Sequence, residues 1–310
     1  MKRNYVDREY KNNVFCDLFS EKKNALSLYN ALNHTAYTDI DDLEIVTLSD
    51  VIFMQQKNDV SIMFQNELAL WEHQSTLNYN MPLRGLIYFA HNIDGILKSR
   101  GITLYGKKIV KIPSPVYYVF YNGTDHAPDR QDLKLSDSFI SPTEGYEWTA
   151  HMLNINAGHN RELLKRCPAL EGYALLVSYT REFQKEEHDL KKAVEKAINR
   201  CIQENYLKNY LLKKKAEVSL MLLTEFNQEA FAQAMRTEGW EEGRAEGLTE
   251  GRAEGRAEGC TEGRAEGRTE GETRVNLLNS RLISEKRFDD LARATSDKLF
   301  QAQLYKGYGL

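Results

Sequence analysis

Apolar residues recur at three- and four-residue steps at Leu18, Phe19, Ala25, Leu26, Leu28, Tyr29 and Leu32, which predicts one amphipathic helix over Asp17 to Asn33. The rhythm then changes. A strand is expected near Leu43 to Met54, and the apolar runs Val60 to Phe64 and Glu67 to Gln74 read as two more, with Gln65-Asn66 as the turn between them. A second helix should open at Met81-Pro82, where Asn80 is the natural cap and proline is tolerated in the first turn. Its core stripe is Leu83, Leu86, Ile87, Phe89 and Ala90. Val116 to Tyr121 is almost wholly apolar and ends at Asn122-Gly123, as a buried central strand running into a turn should. His151 and His159 bracket one more strand-like stretch, with no third ligand at a spacing that suggests zinc.

From Glu182 to Phe226 the period becomes helical, with Leu190, Val194, Ala197, Ile198, Cys201 and Ile202 on one broad face and lysines opposite. A tetrapeptide repeat follows, with glycine at every fourth position from Gly239 to Gly271 and Glu before nearly every one. On a helix, a period of four turns by about 400° per repeat, so Gly, Glu, Arg and Ala or Thr form slowly winding stripes. Each glycine weakens such a helix by up to about 1 kcal/mol. The bare stripe nevertheless allows a second helix to approach closely, with a right-handed crossing. A helical arm that self-associates is therefore expected, with a flexible linker as the alternative. The pattern divides the chain into an α/β domain at 15–180, a helical region at 181–236, the repeat arm at 237–272 and a small helical element at 273–310, where apolar spacing resumes.

The 310 residues are 42% apolar, enough for a sizeable core. A net charge of −4 looks unfavourable for a nucleic-acid partner, but its distribution alters that view. Eleven Glu against five Arg give residues 237–272 a charge of −6, leaving +2 on the remainder. Cys16, Cys167, Cys201 and Cys260 form no C-x-x-C pair, which argues against a zinc site or a disulfide framework and for a reducing, cytoplasmic setting. The charged N-terminus lacks the apolar stretch of a signal peptide, and no window approaches the roughly 20 apolar residues of a membrane span.

The candidate chemistry lies on the two central runs. If Gln65-Asn66 is a two-residue loop, Phe64 pairs with Glu67, and the ladder carried outward sets Asp59 against Glu72; a three-residue turn would set Asp59 against His73. In the first register Asp59, Glu72 and Gln74 share a face and His73 points away. Like charges opposed on a sheet repel. A divalent cation between them would relieve this, and carboxylate oxygens suit Mg²⁺. Against this stands the ordinary reading of Asp59 as a strand start and Glu72 as a solvated strand end. Arg84 is a candidate phosphate contact or, equally, a salt-bridge partner of Glu72. Glu21 is a candidate accessory acid or a solvated helix charge.

Asp59, then Glu72-His73-Gln74-Ser75, then Asn80-Met81-Pro82-Leu83-Arg84, then Val119-Phe120-Tyr121-Asn122-Gly123 resembles the Rpn family, recombination-promoting nucleases also described as PD-(D/E)XK nuclease family transposases. The resemblance runs from about Phe15 through the repeats near residue 272. It implies a restriction-endonuclease-like core, a mixed sheet flanked by helices in which a helix precedes three antiparallel strands, a second helix and a fourth strand. It also implies a Mg²⁺- or Mn²⁺-dependent endonuclease acting on DNA, with Asp59 and Glu72 as metal ligands and Gln74 at a position that is Lys in many relatives. A neutral amide orients water but supplies neither the charge nor the proton of a lysine. Asn154 is expected to be Asp in some relatives, which would leave this chain without that carboxylate. A catalytically weak DNA-binding or protein-interaction module is the alternative these departures motivate.

Overall fold

The structure, a computed structural model, describes residues 13–46, 59–141, 145–187 and 189–310. Contacts divide the chain into two compact units, residues 1–232 and 233–310.

In the first unit, α1 (Val14–Phe19), α2 (Lys22–Asn33), β1 (Glu44–Ile45), β2 (Val60–Phe64), β3 (Glu67–Gln74), α3 (Met81–Ser99), β4 (Ser114–Tyr121), β5 (Arg130–Lys134), β6 (Thr149–Asn154), α4 (Arg161–Arg166), α5 (Pro168–Glu187) and α6 (Leu190–Gln203) follow in order. They precede the start of α7 (Lys208–Ser284). The six strands form one mixed sheet in the order β1-β2-β3-β4-β6-β5. β1, β2 and β3 are antiparallel neighbours, β4 is parallel to both β3 and β6, and β5 closes the far edge antiparallel to β6. The parallel β3–β4 pair needs a crossover connection, which α3 supplies.

The β2–β3 hairpin has the expected two-residue loop. Gln65 (φ 49°) and Asn66 (φ 60°) are both left-handed, as the tight turn matching strand twist requires. Phe64 therefore pairs with Glu67 and Val60 with Trp71. Alternation along the strands sorts the side chains into two cores. Leu68 and Leu70, with Tyr117, Val119, Ala150 and Met152, pack under Tyr88, Phe89, Ile93 and Ile96 of α3. On the other face Val60, Ile62, Phe64, Ala69, Trp71 and Phe120 lie against α1, α2, α5, α6 and the beginning of α7, including Leu211, Val218, Leu222 and Phe226. The sheet is thus covered on both faces, as a sheet with parallel central strands should be.

Several expectations need correction. The helix expected over Asp17 to Asn33 is two, because Ser20 and Glu21 leave the helix between Phe19 and Lys22. Asn13 caps the first, its side chain accepting from the Cys16 N–H at 2.7 Å. Of the strand expected over Leu43 to Met54 only Glu44–Ile45 is seen, and residues 47–54 lie outside the described residues. Asn80 precedes α3 without a side-chain cap bond, and its N–H is instead taken by Asn78 Oδ1 at 2.9 Å.

The repeat is helical throughout, within α7. In the second unit, Leu278 and Leu282 at the end of α7 pack with Ala294 of α8 (Phe288–Ser296) and Leu304 of α9 (Lys298–Tyr308) into a small core. Among the described residues no helix is long and apolar enough to cross a membrane.

Candidate functional site

The hairpin register brings the acidic pair together. With Val60 opposite Trp71, one further step sets Asp59 opposite Glu72 on the face under α3. Asp59 is 7% exposed and Glu72 is fully buried. Asp59 Oδ2 accepts the His73 backbone N–H at 2.7 Å, so a side chain meets β3 just beyond the last strand pair. Glu72 Oε1 accepts from Arg84 Nη2 at 2.5 Å and from Gln74 Nε2 at 3.4 Å. Arg84 also donates through Nε and Nη2 to the Tyr88 hydroxyl, at 3.0 and 2.8 Å.

The approach of α3 that makes these contacts depends on Gly85. A Cβ there would stand 2.3 Å from Tyr117 Cδ1 and 2.9 Å from Trp148 Nε1, so only glycine allows the helix this close. The charge balance follows. A buried carboxylate without a partner is costly, and Arg84, with 23% of its side chain exposed, neutralises Glu72 while keeping an edge in solvent. Burial pulls the Arg84 guanidinium toward deprotonation, but Glu72 and the Tyr88 hydroxyl more than offset this and hold it firmly charged. Tyr117 lies in the same cluster. Burial, and after it the Glu72 charge, push its phenol well above the usual tyrosine range. Its buried hydroxyl has no hydrogen-bond partner among the described residues.

Glu21 is not brought to this cluster. It is exposed at the start of α2, on the opposite side of the sheet, with Oε2 accepting from Asn24 Nδ2 at 3.1 Å. Asn154, read from sequence as the place of a missing carboxylate, uses both ends of its amide. Nδ2 donates to the Ala127 carbonyl at 2.9 Å, and Oδ1 accepts the Asn156 N–H at 3.0 Å. An aspartate could not make the first bond unless protonated.

A second buried polar cluster lies behind β3, where spacing gave no signal. His73 Nε2 is 2.8 Å from Asn122 Oδ1 and 2.9 Å from the Tyr173 hydroxyl. The Tyr173 hydroxyl donates to Glu225 Oε1 at 3.0 Å. Arg181 reaches both Glu229 oxygens, at 3.1 and 3.2 Å, and also donates to the Asn122 carbonyl. Tyr173 and Glu225 come from α5 and α7, so only the packed fold gathers them.

Two carboxylates fit a hard, oxygen-preferring cation, which commonly takes one or two of them and fills its other positions with water or phosphate. The Tyr117 hydroxyl, which has no hydrogen-bond partner among the described residues, is within electrostatic reach of both carboxylates and stays neutral there. Among the described residues no group of three or more His, Cys, Asp or Glu side chains is arranged to hold a metal ion. No family model, curated protein or solved structure matches this chain.

Proposed function

We propose that the chain is a Mg²⁺- or Mn²⁺-dependent DNA endonuclease on a restriction-endonuclease-like PD-(D/E)XK core, of the Rpn type. The observation that supports this reading is the β2–β3 register, which, carried one step past Val60 and Trp71, sets Asp59 against Glu72 on one sheet face, with Gln74 Nε2 at 3.4 Å from Glu72. The order α2-β1-β2-β3-α3-β4, with β4 parallel to β3, supports it as the arrangement such a core requires.

Asp59 and Glu72 would hold the cation through carboxylate oxygens. The cation would supply Lewis-acid charge at the scissile phosphate and a more acidic water. Gln74 orients a water or phosphate oxygen through its amide. Arg84, paired with Glu72 at rest, can exchange that carboxylate for a DNA phosphate, which unites the two roles that its position in sequence allowed. In the repeat, a Cβ added at any glycine from Gly239 to Gly271 would meet nothing within 4 Å. The stripe is thus open among the described residues, which leaves room for a second copy as its partner.

The Arg84–Glu72 pair and the neutral Gln74 favour one other reading, a catalytically weak DNA-binding or interaction module. Plasmid DNA incubated with the protein and Mg²⁺ or Mn²⁺ separates the two. Cutting that disappears in Asp59→Ala is expected, whereas equal cutting by both proteins defeats the assignment. Salt-sensitive DNA binding without cleavage would favour the module.

A further inference from the structure

Among the described residues the β2–β3 ladder ends at Val60 and Trp71, one step short of Asp59. Beyond that pair the His73 backbone N–H donates to Asp59 Oδ2 at 2.7 Å and ties this side chain to β3. The His73 backbone is paired with Phe120 of β4, and its ring is anchored on the face of the sheet opposite α3. Asn122 Oδ1 and Glu225 Oε1 can only accept. The His73 Nε2–H therefore donates to Asn122 at 2.8 Å, the Tyr173 hydroxyl lies 2.9 Å from the same nitrogen, and the Tyr173 proton goes to Glu225 at 3.0 Å. Phe15 stacks on the imidazole at 5.9 Å and Tyr173 meets it edge-on at 5.4 Å, leaving the ring little freedom. Arg181 ties the Asn122 carbonyl to Glu229, one helical turn beyond Glu225 on α7.

We propose that Tyr173 and Glu225 are positioning residues for Asp59, acting through His73 from the far side of the sheet, so that the docking of α7 on α5 sets the geometry of the carboxylate pair. The chain of contacts runs from Glu225 to Tyr173, through the His73 ring to its backbone, and across to Asp59. Hydrogen bonds in such a dry setting are strong and directional, and chains of them reinforce one another. A polar cluster with a purely structural role would stabilise all of β3 alike. This one converges on the residue whose amide meets Asp59. Its catalytic meaning rests on the nuclease reading, but the mechanical coupling does not.

Residue-resolved hydrogen exchange of the full chain reads the His73–Asp59 bond directly. Tyr173→Phe removes the bridging hydroxyl and Glu225→Leu removes its acceptor, and each should speed exchange of the His73 amide about tenfold. The Ala69 and Leu70 amides of the same strand should stay within about twofold of wild type. Glu225→Gln keeps the acceptor oxygen and should leave His73 at the wild-type rate. Glu225→Leu, on the helix that packs last in sequence, decides the matter if Tyr173→Phe does not fold. An unchanged His73 amide in both disruptive variants, or equal acceleration at Ala69 and Leu70, overturns the proposal. Loss of the nuclease reading, seen as wild-type protein that never cuts DNA, would leave this exchange pattern intact.

Discussion

Arg84→Met tests whether the buried ion pair carries the energetic weight its geometry implies. Methionine keeps the apolar stem of the arginine, so the change removes charge with little loss of packing. Glu72 is fully buried and its Oε1 lies 2.5 Å from Arg84 Nη2. With the two charge centres about 4 Å apart and an effective dielectric of about 20, the attraction is about 4 kcal/mol. Removing one partner of a buried pair typically costs about 3–5 kcal/mol, because the remaining charge is stranded. For a folding unit of residues 1–232, about 4 kcal/mol corresponds to a fall of roughly 8–16 °C in melting temperature.

Urea unfolding at pH 7.5 should show this loss, and the double variant Arg84→Met with Glu72→Gln should recover most of it. The deficit should also shrink on acidification, since protonating the stranded carboxylate removes the penalty. Mn²⁺ should stabilise Arg84→Met more than wild type, because the cation can take the place of the guanidinium. At a hundredfold excess over Kd the gain is about 2.7 kcal/mol. A loss below about 1 kcal/mol in the single variant would refute the reasoning, since Glu72 would then have found water or another counter-charge.

Burial pushes the Glu225 carboxyl above its ordinary 4.5, so the folded chain holds that proton more tightly than the unfolded chain does. The folded state therefore binds more protons, and stability falls as pH rises from about 4.5 through the raised value. Glu225→Gln should gain stability relative to wild type at pH 8 and show little difference at pH 4, as compared by urea midpoints; a loss at pH 8 would contradict the burial argument. In the repeat, Gly251→Ala and Gly255→Ala meet open space and should each strengthen the helix by about 1 kcal/mol if the arm stands alone. If the stripe packs on a second copy, the same methyls should raise the dimer dissociation constant in sedimentation equilibrium. Increased helicity with unchanged self-association would rule out the packed stripe.

How much of this was legible in the sequence depended on the range of the interaction. The hairpin follows from two polar residues between two apolar runs, and once the structure fixes the two-residue loop, the face shared by Asp59, Glu72 and Gln74 follows from the period of a strand. The helical repeat is equally local, a period of four over many turns, and so is the apolar spacing that builds the terminal core. Local rules failed where small features compete with periodicity. The apolar spacing of Asp17 to Asn33 continues straight through the break at Ser20 and Glu21, because both short helices face the same core.

Sequence by itself settled the alternation of α and β elements and the β2–β3 hairpin, since each is fixed by neighbours in the chain. The choice between the hairpin's two possible registers, and with it the face of the acidic pair, came from the left-handed Gln65-Asn66 turn seen in the structure. Only the tertiary structure decided that Arg84 answers Glu72 rather than solvent, because that needs α3 laid onto β4 at the distance Gly85 permits. It alone put Tyr173 and Glu225 behind His73, contacts that join α5 and α7 to β3 across long stretches of chain. It also gave Asn154 its two bonds. Periodicity tells which face of an element is buried, but which charge meets which across that buried face is set by packing.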